Sequence, residues 1–185
     1  MKKIIMLLST LMFVSLSHAQ ATLELFGQPL KNATRPQLRD AIKKAGVQPK
    51  RENDHYWVDQ YNPSGVLEGA SDLSVGYVIA TKRFAFAEYT FSAFIDTGLV
   101  GKVIKMVSNK YGPPSSEQGD MDLGPVNARW NLPQGMRIDV KRGWPDTTTY
   151  LDYKDTSTYQ QMSAEIDAQK SAVEKQQQQS QNRAF

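Results

Sequence analysis

Carboxylates are the side chains of this sequence best suited to chemistry, because the alternatives are scarce. The chain contains no cysteine and two histidines. A thiol nucleophile, a thiolate metal site and a disulfide framework are therefore excluded. Asp139, Asp146 and Asp152 could supply the acid and base that glycoside hydrolysis requires. No residue pattern marks one of them as buried, so a small carboxylate-based envelope hydrolase is our second hypothesis.

Two further patterns have some features of a catalytic or metal site. His55 stands beside Asp54 and is predicted to be a surface residue where a strand starts. In the stretch SSEQGDMDLG, Asp120 and Asp122 alternate as in a calcium loop, but the closing glutamate is not at the required distance. The sequence therefore predicts no catalytic residue, no metal and no cofactor, and we expect a protein that is not an enzyme.

The first 21 residues have the pattern of a secretory signal peptide. Lys2 and Lys3 precede an apolar run from Ile4 to Leu16, and small residues follow at Ala19 and Ala21. The apolar run is shorter than the roughly 18 residues that a membrane span requires. We therefore predict export to the periplasm or beyond, cleavage near Ala19 or Ala21, and no membrane span afterwards.

The charge of the chain argues against a nucleic-acid partner. The sequence has 22 Lys+Arg and 19 Asp+Glu, a net charge of +3. Removal of Lys2 and Lys3 leaves 20 against 19, a net charge of +1. The remaining charges are interspersed, whereas nucleic-acid binding requires positive charge clustered on one face or element.

The elements that must position these residues occur in two similar halves. The first half predicts a helix that is capped by Thr34 and Gln37 and ends at Gly46, and the second predicts a helix from Asp96 to Gly112. Three strands with alternating apolar residues follow each helix. The strands are predicted from Tyr56, Leu73 to Ile79 and Phe84 to Phe91, then Val126 to Leu132, Met136 to Val140 and Thr147 to Tyr153.

Two helix-plus-three-strand modules, residues 22–93 and 94–155, thus predict a single α+β domain. Its sheet is expected to be mostly antiparallel, with the helices on one face. The repeat aligns Trp57 with Trp130. Alternation in the hairpin formed by the strands at 126–132 and 136–140 places four charged residues on the face opposite Trp130, namely Arg129, Arg137, Asp139 and Lys141.

The C-terminal region differs in composition from the two modules. Residues 156–175 predict a helix whose thin apolar stripe either docks on the domain or drives self-association, which would make the protein a structural envelope component. The Gln-rich residues 176–185 have too little apolar surface to fold and are predicted to be disordered.

In each module, the turn that joins the second predicted strand to the third combines basic and aromatic residues. Trp144 precedes a Pro-Asp turn, which is typical of a hairpin end. We expect both turns to lie at one end of the sheet and to form a binding rim for an acidic or glycan-bearing partner. In the alternative, Trp144 folds back to cap the core and the basic residues only solubilise the turns. The predicted contact residues are Lys82, Arg83, Phe84, Lys141, Arg142 and Trp144.

The second half resembles a diffuse class of exported bacterial modules. Gly112 and Pro114 after a helix, Trp130 in a strand, and a final strand from Tyr150 to Tyr153 are similar to the outer-membrane assembly lipoproteins of the SmpA/OmlA type. Tandem-repeat β-lactamase inhibitor proteins and many uncharacterised periplasmic proteins share this pattern. The resemblance implies a non-enzymatic role in binding another envelope or secreted protein, in assembly, inhibition or immunity. This chain lacks the lipobox cysteine of the lipoproteins.

Overall fold

A computed structural model describes residues 22–92 and 95–183, so the predicted signal peptide lies outside the described residues. The described part has three helices and ten strands, an α+β architecture as predicted. The helices are α1 (Arg35–Lys44), α2 (Leu99–Tyr111) and α3 (Thr156–Asn182). The strands are β1 (Glu24–Leu25), β2 (Gln28–Pro29), β3 (Gln48–Arg51), β4 (Val58–Asn62), β5 (Asp72–Tyr77), β6 (Phe84–Phe91), β7 (Ser116–Gly119), β8 (Val126–Asn131), β9 (Met136–Arg142) and β10 (Thr149–Asp155).

Eight of the strands form one sheet in the order β3-β4-β5-β6-β10-β9-β8-β7. Every neighbouring pair in this sheet is antiparallel. The first module is α1 with β3 to β6, and the second is α2 with β7 to β10. The modules join through their last strands, where Phe91 lies opposite Thr149 and Phe86 lies opposite Lys154. The halves are therefore related by an approximate two-fold axis between β6 and β10.

Each module has four strands in this sheet, one more than the sequence predicts. The additional strands, β3 and β7, form the two edges, and all four residues of each are exposed. A strand with no buried face has no reason to alternate apolar and polar residues, so periodicity does not identify it. The other six strands agree with the predicted segments to within a few residues.

The main core lies between α1, α2 and one face of the sheet, which we call the helix face. Leu38 of α1 and Val103 of α2 belong to one continuous cluster that includes Leu73 and Leu151 of the strands. Trp130 is also in this core, and its indole nitrogen donates a hydrogen bond to the carbonyl of Gly112 at the end of α2 (2.8 Å). The two module helices thus cover one face, as predicted.

Helix α3 lies on the opposite face of the sheet. Tyr159 packs edge-to-face on Phe86, and Met162 and Trp57 belong to the same small apolar cluster. The predicted alignment of Trp57 with Trp130 is therefore wrong, because the two indoles pack on different faces. The helix continues to Asn182, so the Gln-rich stretch that the sequence predicts to be disordered is helical up to that residue. Glutamine has a high helix propensity. The prediction of disorder rested on low hydropathy, which does not report helix propensity.

No helix within residues 22–92 and 95–183 has both the length and the apolar character needed to span a bilayer.

The close approach of Phe86 to Gly76 provides a test of the packing beneath α3. A Cβ atom on Gly76 would overlap the Phe86 ring, which also contacts Tyr159. We expect Gly76→Ala to lower the free energy of unfolding by about 1–3 kcal/mol, as overpacking usually does, measured by urea denaturation. Gly101→Ala in α2 is the matched control, because the added Cβ meets open space. A gain in stability for Gly76→Ala would contradict the packing described.

Candidate functional site

Arg142 is buried at the end of β9 and ties two loops together, immediately before the turn that joins β9 to β10. Its side chain donates hydrogen bonds to the backbone carbonyls of Thr97 (2.5 Å), Met121 (2.9 Å), Asp120 (2.8 Å) and Gly124 (2.7 Å). Only 2% of the residue is exposed. The prediction of Arg142 as a contact residue is therefore wrong, because its buried guanidinium donates its hydrogen bonds to backbone carbonyls of the protein itself.

The two loops that Arg142 holds and the turn that follows it carry three of the large exposed apolar side chains. Ile95 (73% exposed) lies two residues before Thr97, Leu123 (63%) adjoins Gly124, and Trp144 (46%) follows Arg142 by two residues. We call the loop residues 95–98, 120–125 and 143–148 the tip. The expectation that Trp144 is exposed on a turn is confirmed, and the alternative in which it caps the core is not.

The backbone of the tip is also held in defined turns. Ile95 has a φ of 62°, which is rare for a β-branched residue and costs of order 1–3 kcal/mol. Asp120 accepts a hydrogen bond from the backbone of Asp122, and Asp146 accepts two from Thr148. Asp120 and Asp122 thus serve as turn residues, and the described residues contain no group of three His, Cys, Asp or Glu side chains that could hold a metal.

The charge of the tip is negative. Its only charged residues are four aspartates, Asp96, Asp120, Asp122 and Asp146. The Thr148 hydroxyl and backbone hold the pKa of Asp146 below its usual range, so this carboxylate stays ionised. Apolar side chains surrounded by carboxylates are suited to a partner surface that is apolar in its centre and basic at its rim.

The turn between β5 and β6 lies at the other end of the sheet. Because β6 and β10 are antiparallel, the start of β6 at Phe84 is about 23 Å from the Trp144 turn, at roughly 3.3 Å per residue. The predicted single rim is therefore wrong. Lys82 and Arg83 are exposed, with Arg83 bonded to Asn32 (3.0 Å), whereas Phe84 is buried in the main core. Phe84 has no surface to offer a partner.

The face opposite the helix face carries a row of polar residues, and we call it the polar face. Lys141 lies here, where its amine binds Asp152 (2.7 Å), and it does not belong to the tip. Arg129 and Arg137 each bind Asp139 at 2.7 and 2.8 Å. The predicted face assignment is thus confirmed, although Asp139 itself is fully buried. The row runs through Gln60, Ser74, Glu88, Asp152, Asp139 and Arg129, each directly opposite the next.

Glu88 and Asp152 are opposed carboxyls at the centre of this row. Burial raises the pKa of Glu88 to about 7, and the neighbouring Asp152 adds to the effect. Burial opposes ionisation of Asp152 too, but Lys154 and Lys141 outweigh it and hold the pKa of Asp152 below its usual range. Both lysines bind Asp152 Oδ2, while Oδ1 is buried without a donor among the described residues. In its protonated form Glu88 is a hydrogen-bond donor facing Asp152.

Sequence reasoning missed Glu88, Leu123 and Ile95. Glu88 carries a usable signal, since it is the single charged residue in the strand FAFAEYTF. Leu123 and Ile95 carry none, because an apolar residue in a short loop is common. His55 is exposed, as predicted. Four surface cavities, including one of about 240 Å³ beside Tyr89 and Tyr153, lie away from the tip and from Glu88.

The structure predicts that Arg142 is essential to the shape of the tip. Replacement by lysine keeps the charge but removes the planar fork, which leaves several buried carbonyls without a donor. We expect Arg142→Lys to lower the free energy of unfolding by about 1–3 kcal/mol, the cost of unsatisfied buried groups, in urea denaturation. Arg83→Lys, at an exposed site, should change it by less than about 0.5 kcal/mol. Equal effects of the two changes would contradict this role.

The raised pKa of Glu88 predicts how stability depends on pH. A carboxyl whose pKa is higher in the folded state stabilises the fold at low pH, and that contribution is lost as pH rises from its ordinary value towards about 7. We expect the wild type to lose stability relative to Glu88→Gln between about pH 4.5 and 7.5. Paired urea titrations across this range would show parallel curves if Glu88 instead titrates normally.

No family model and no curated protein matches the chain. Among solved structures, it is similar to a DUF4309 family protein (YjgB) from Bacillus subtilis. The similarity has a TM-score of 0.43 and 14% sequence identity, and it covers 72% of this chain and 86% of that one.

Proposed function

We propose that the protein is an exported, periplasmic binding protein that acts through contacts with another envelope or secreted protein and catalyses no reaction. The observation that carries this proposal is the tip, where one buried arginine holds two loops beside its own turn and Trp144, Leu123 and Ile95 are exposed. Trp is the residue type most enriched among the anchors of protein interfaces. An assembly, inhibitor or immunity role would use such an anchor.

The rigidity of the tip supports a role in recognition. An exposed apolar side chain on a mobile loop loses conformational entropy when it binds, whereas a side chain on a fixed loop loses less. Arg142 fixes the loops at Thr97 and at Asp120 to Gly124 to the end of β9 through backbone carbonyls, which do not depend on the loop sequences. The four aspartates around the apolar residues favour a partner with a basic rim.

Carboxylate chemistry on the polar face is the second candidate function. A Glu88 pKa near 7 beside an ionised Asp152 meets one requirement of an acid and base pair. The two residues lie directly opposite each other on adjacent strands, however, and Asp152 contributes to the raised pKa of Glu88. Glycoside hydrolysis needs carboxyls about 5–10 Å apart, with room for the sugar between them. The geometry of Glu88 and Asp152 thus favours binding over hydrolysis.

A comparison of two exposed aromatic residues tests the binding proposal. We expect in-cell crosslinking of the tagged protein to capture a discrete partner, and Trp144→Ala to reduce that capture at least tenfold, since interface Trp truncations typically cost about 2 kcal/mol or more. Tyr56→Ala is the matched control, because Tyr56 is exposed to a similar degree and lies outside the tip. Both variants should keep the far-ultraviolet circular dichroism of the wild type.

The proposal fails in either of two ways. Capture of the partner by folded Trp144→Ala at the wild-type level would place the interface elsewhere. If no partner is captured by any of the three proteins, the binding role itself loses its support.

A further inference from the structure

The turn between β5 and β6 binds a carboxylate. Glu165 of α3 accepts hydrogen bonds through Oε2 from the Ile79 backbone (2.8 Å) and the Trp57 indole (3.0 Å). Its Oε1 accepts one from the Ala80 backbone (3.1 Å). Three N–H donors on two loops therefore converge on a single acidic group, and hydrogen bonds to an ionised acceptor are the stronger kind. These three donors favour an anion.

An apolar groove adjoins these donors. Val78 and Ala85 form its buried floor, and Trp57 and Phe86 line it. The groove contains one face of α3, in which Tyr159, Met162 and Ile166 are three or four residues apart. This cluster is separate from the main core between the sheet and α1 and α2. The groove and the donors together recognise an amphipathic helix with a glutamate beside its apolar stripe.

The contact of α3 with the groove is small for so long a helix. Met162 is the one fully buried residue of its 27 residues. Every described residue from Asp167 onward is exposed. A helix that is polar on all sides gains little from its surroundings and is marginally stable in water. Beyond the first turn of α3, the attachment is therefore confined to the two turns from Tyr159 to Ile166.

We propose that this groove is a docking site for a helix of a partner protein and that α3 is its resident occupant, which must leave before the partner binds. The partner helix would carry an aromatic residue, a methionine or leucine three positions later, and Glu-Ile a further three positions on. This site goes beyond the function proposed for the tip. It lies at the opposite end of the sheet, so both could be occupied at once.

The start of α3 favours a partner protein over exchange between two copies of this chain. Thr156 bonds to the Gly135 carbonyl and Thr158 bonds to the Phe84 carbonyl. Asp155 caps the helix and also binds Lys31 (2.8 Å). These contacts hold the first turn on its own domain. Displacement of the later turns leaves these contacts intact, whereas exchange of the whole helix between two copies would break them.

Binding of a labelled peptide to the full-length protein tests this proposal. The probe is a fluorescein-labelled peptide of residues 156–175, followed by fluorescence anisotropy. The variant Glu165→Ala/Ile166→Asp disables the resident helix, so we expect it to bind the probe at least tenfold more tightly than the wild type does. The same peptide with Glu165→Gln should bind that variant at least tenfold more weakly.

Two results would overturn the proposal, namely equal affinities of the two peptides and no binding by a folded variant. If the variant fails to fold, amide hydrogen exchange of the wild-type protein tests the proposal instead. Excess wild-type peptide is then expected to increase exchange of the amides from Tyr159 to Ile166 at least fivefold, and the Glu165→Gln peptide is not. Unchanged exchange with both peptides would overturn the proposal.

Discussion

The antiparallel pairing of β6 with β10 is the constraint on which the rest of the structure depends. It joins two modules that each end in the same kind of strand, so the second module is reversed relative to the first. One consequence is the single core that spans both modules. Another is that equivalent turns lie at opposite ends of the sheet. A third is the opposition of Glu88 and Asp152, two carboxyls that neither strand would place together alone.

The two ends of the sheet are formed by similar modules, but they differ in how their turns are held and covered. At one end, Glu165 of α3 binds the backbone of the β5–β6 turn, and the apolar residues there are covered. At the other end, Arg142 binds the loops at Thr97 and Asp120, and Trp144 in the β9–β10 turn is left exposed. A buried arginine is an effective organiser here, because its five donors can satisfy carbonyls from several loops at once. At the uncovered end, the proposed partner would bury apolar side chains that are otherwise exposed to water.

The sequence predicts the fold well wherever one face of an element is buried. The strand Phe84–Phe91 and the ends of the two module helices at Gly46 and Gly112 follow from alternation and from glycine at positive φ. The edge strands are missed because their residues are all exposed. The relative orientation of the modules is also missed, since periodicity describes each strand but not which strands meet. The single-rim hypothesis was wrong for that reason.

Arg142 illustrates why the site is harder to predict than the fold. In sequence it stands between Lys141 and Trp144 and looks like one member of an exposed basic turn. In the sheet, alternation sends Lys141 to the polar face and Arg142 to the helix face, so neighbours in sequence have different surroundings. Its partners are backbone carbonyls from loops up to 45 residues away, and carbonyls carry no sequence signal. The residue that positions the proposed anchor is therefore recognisable only from burial and from the hydrogen bonds it makes.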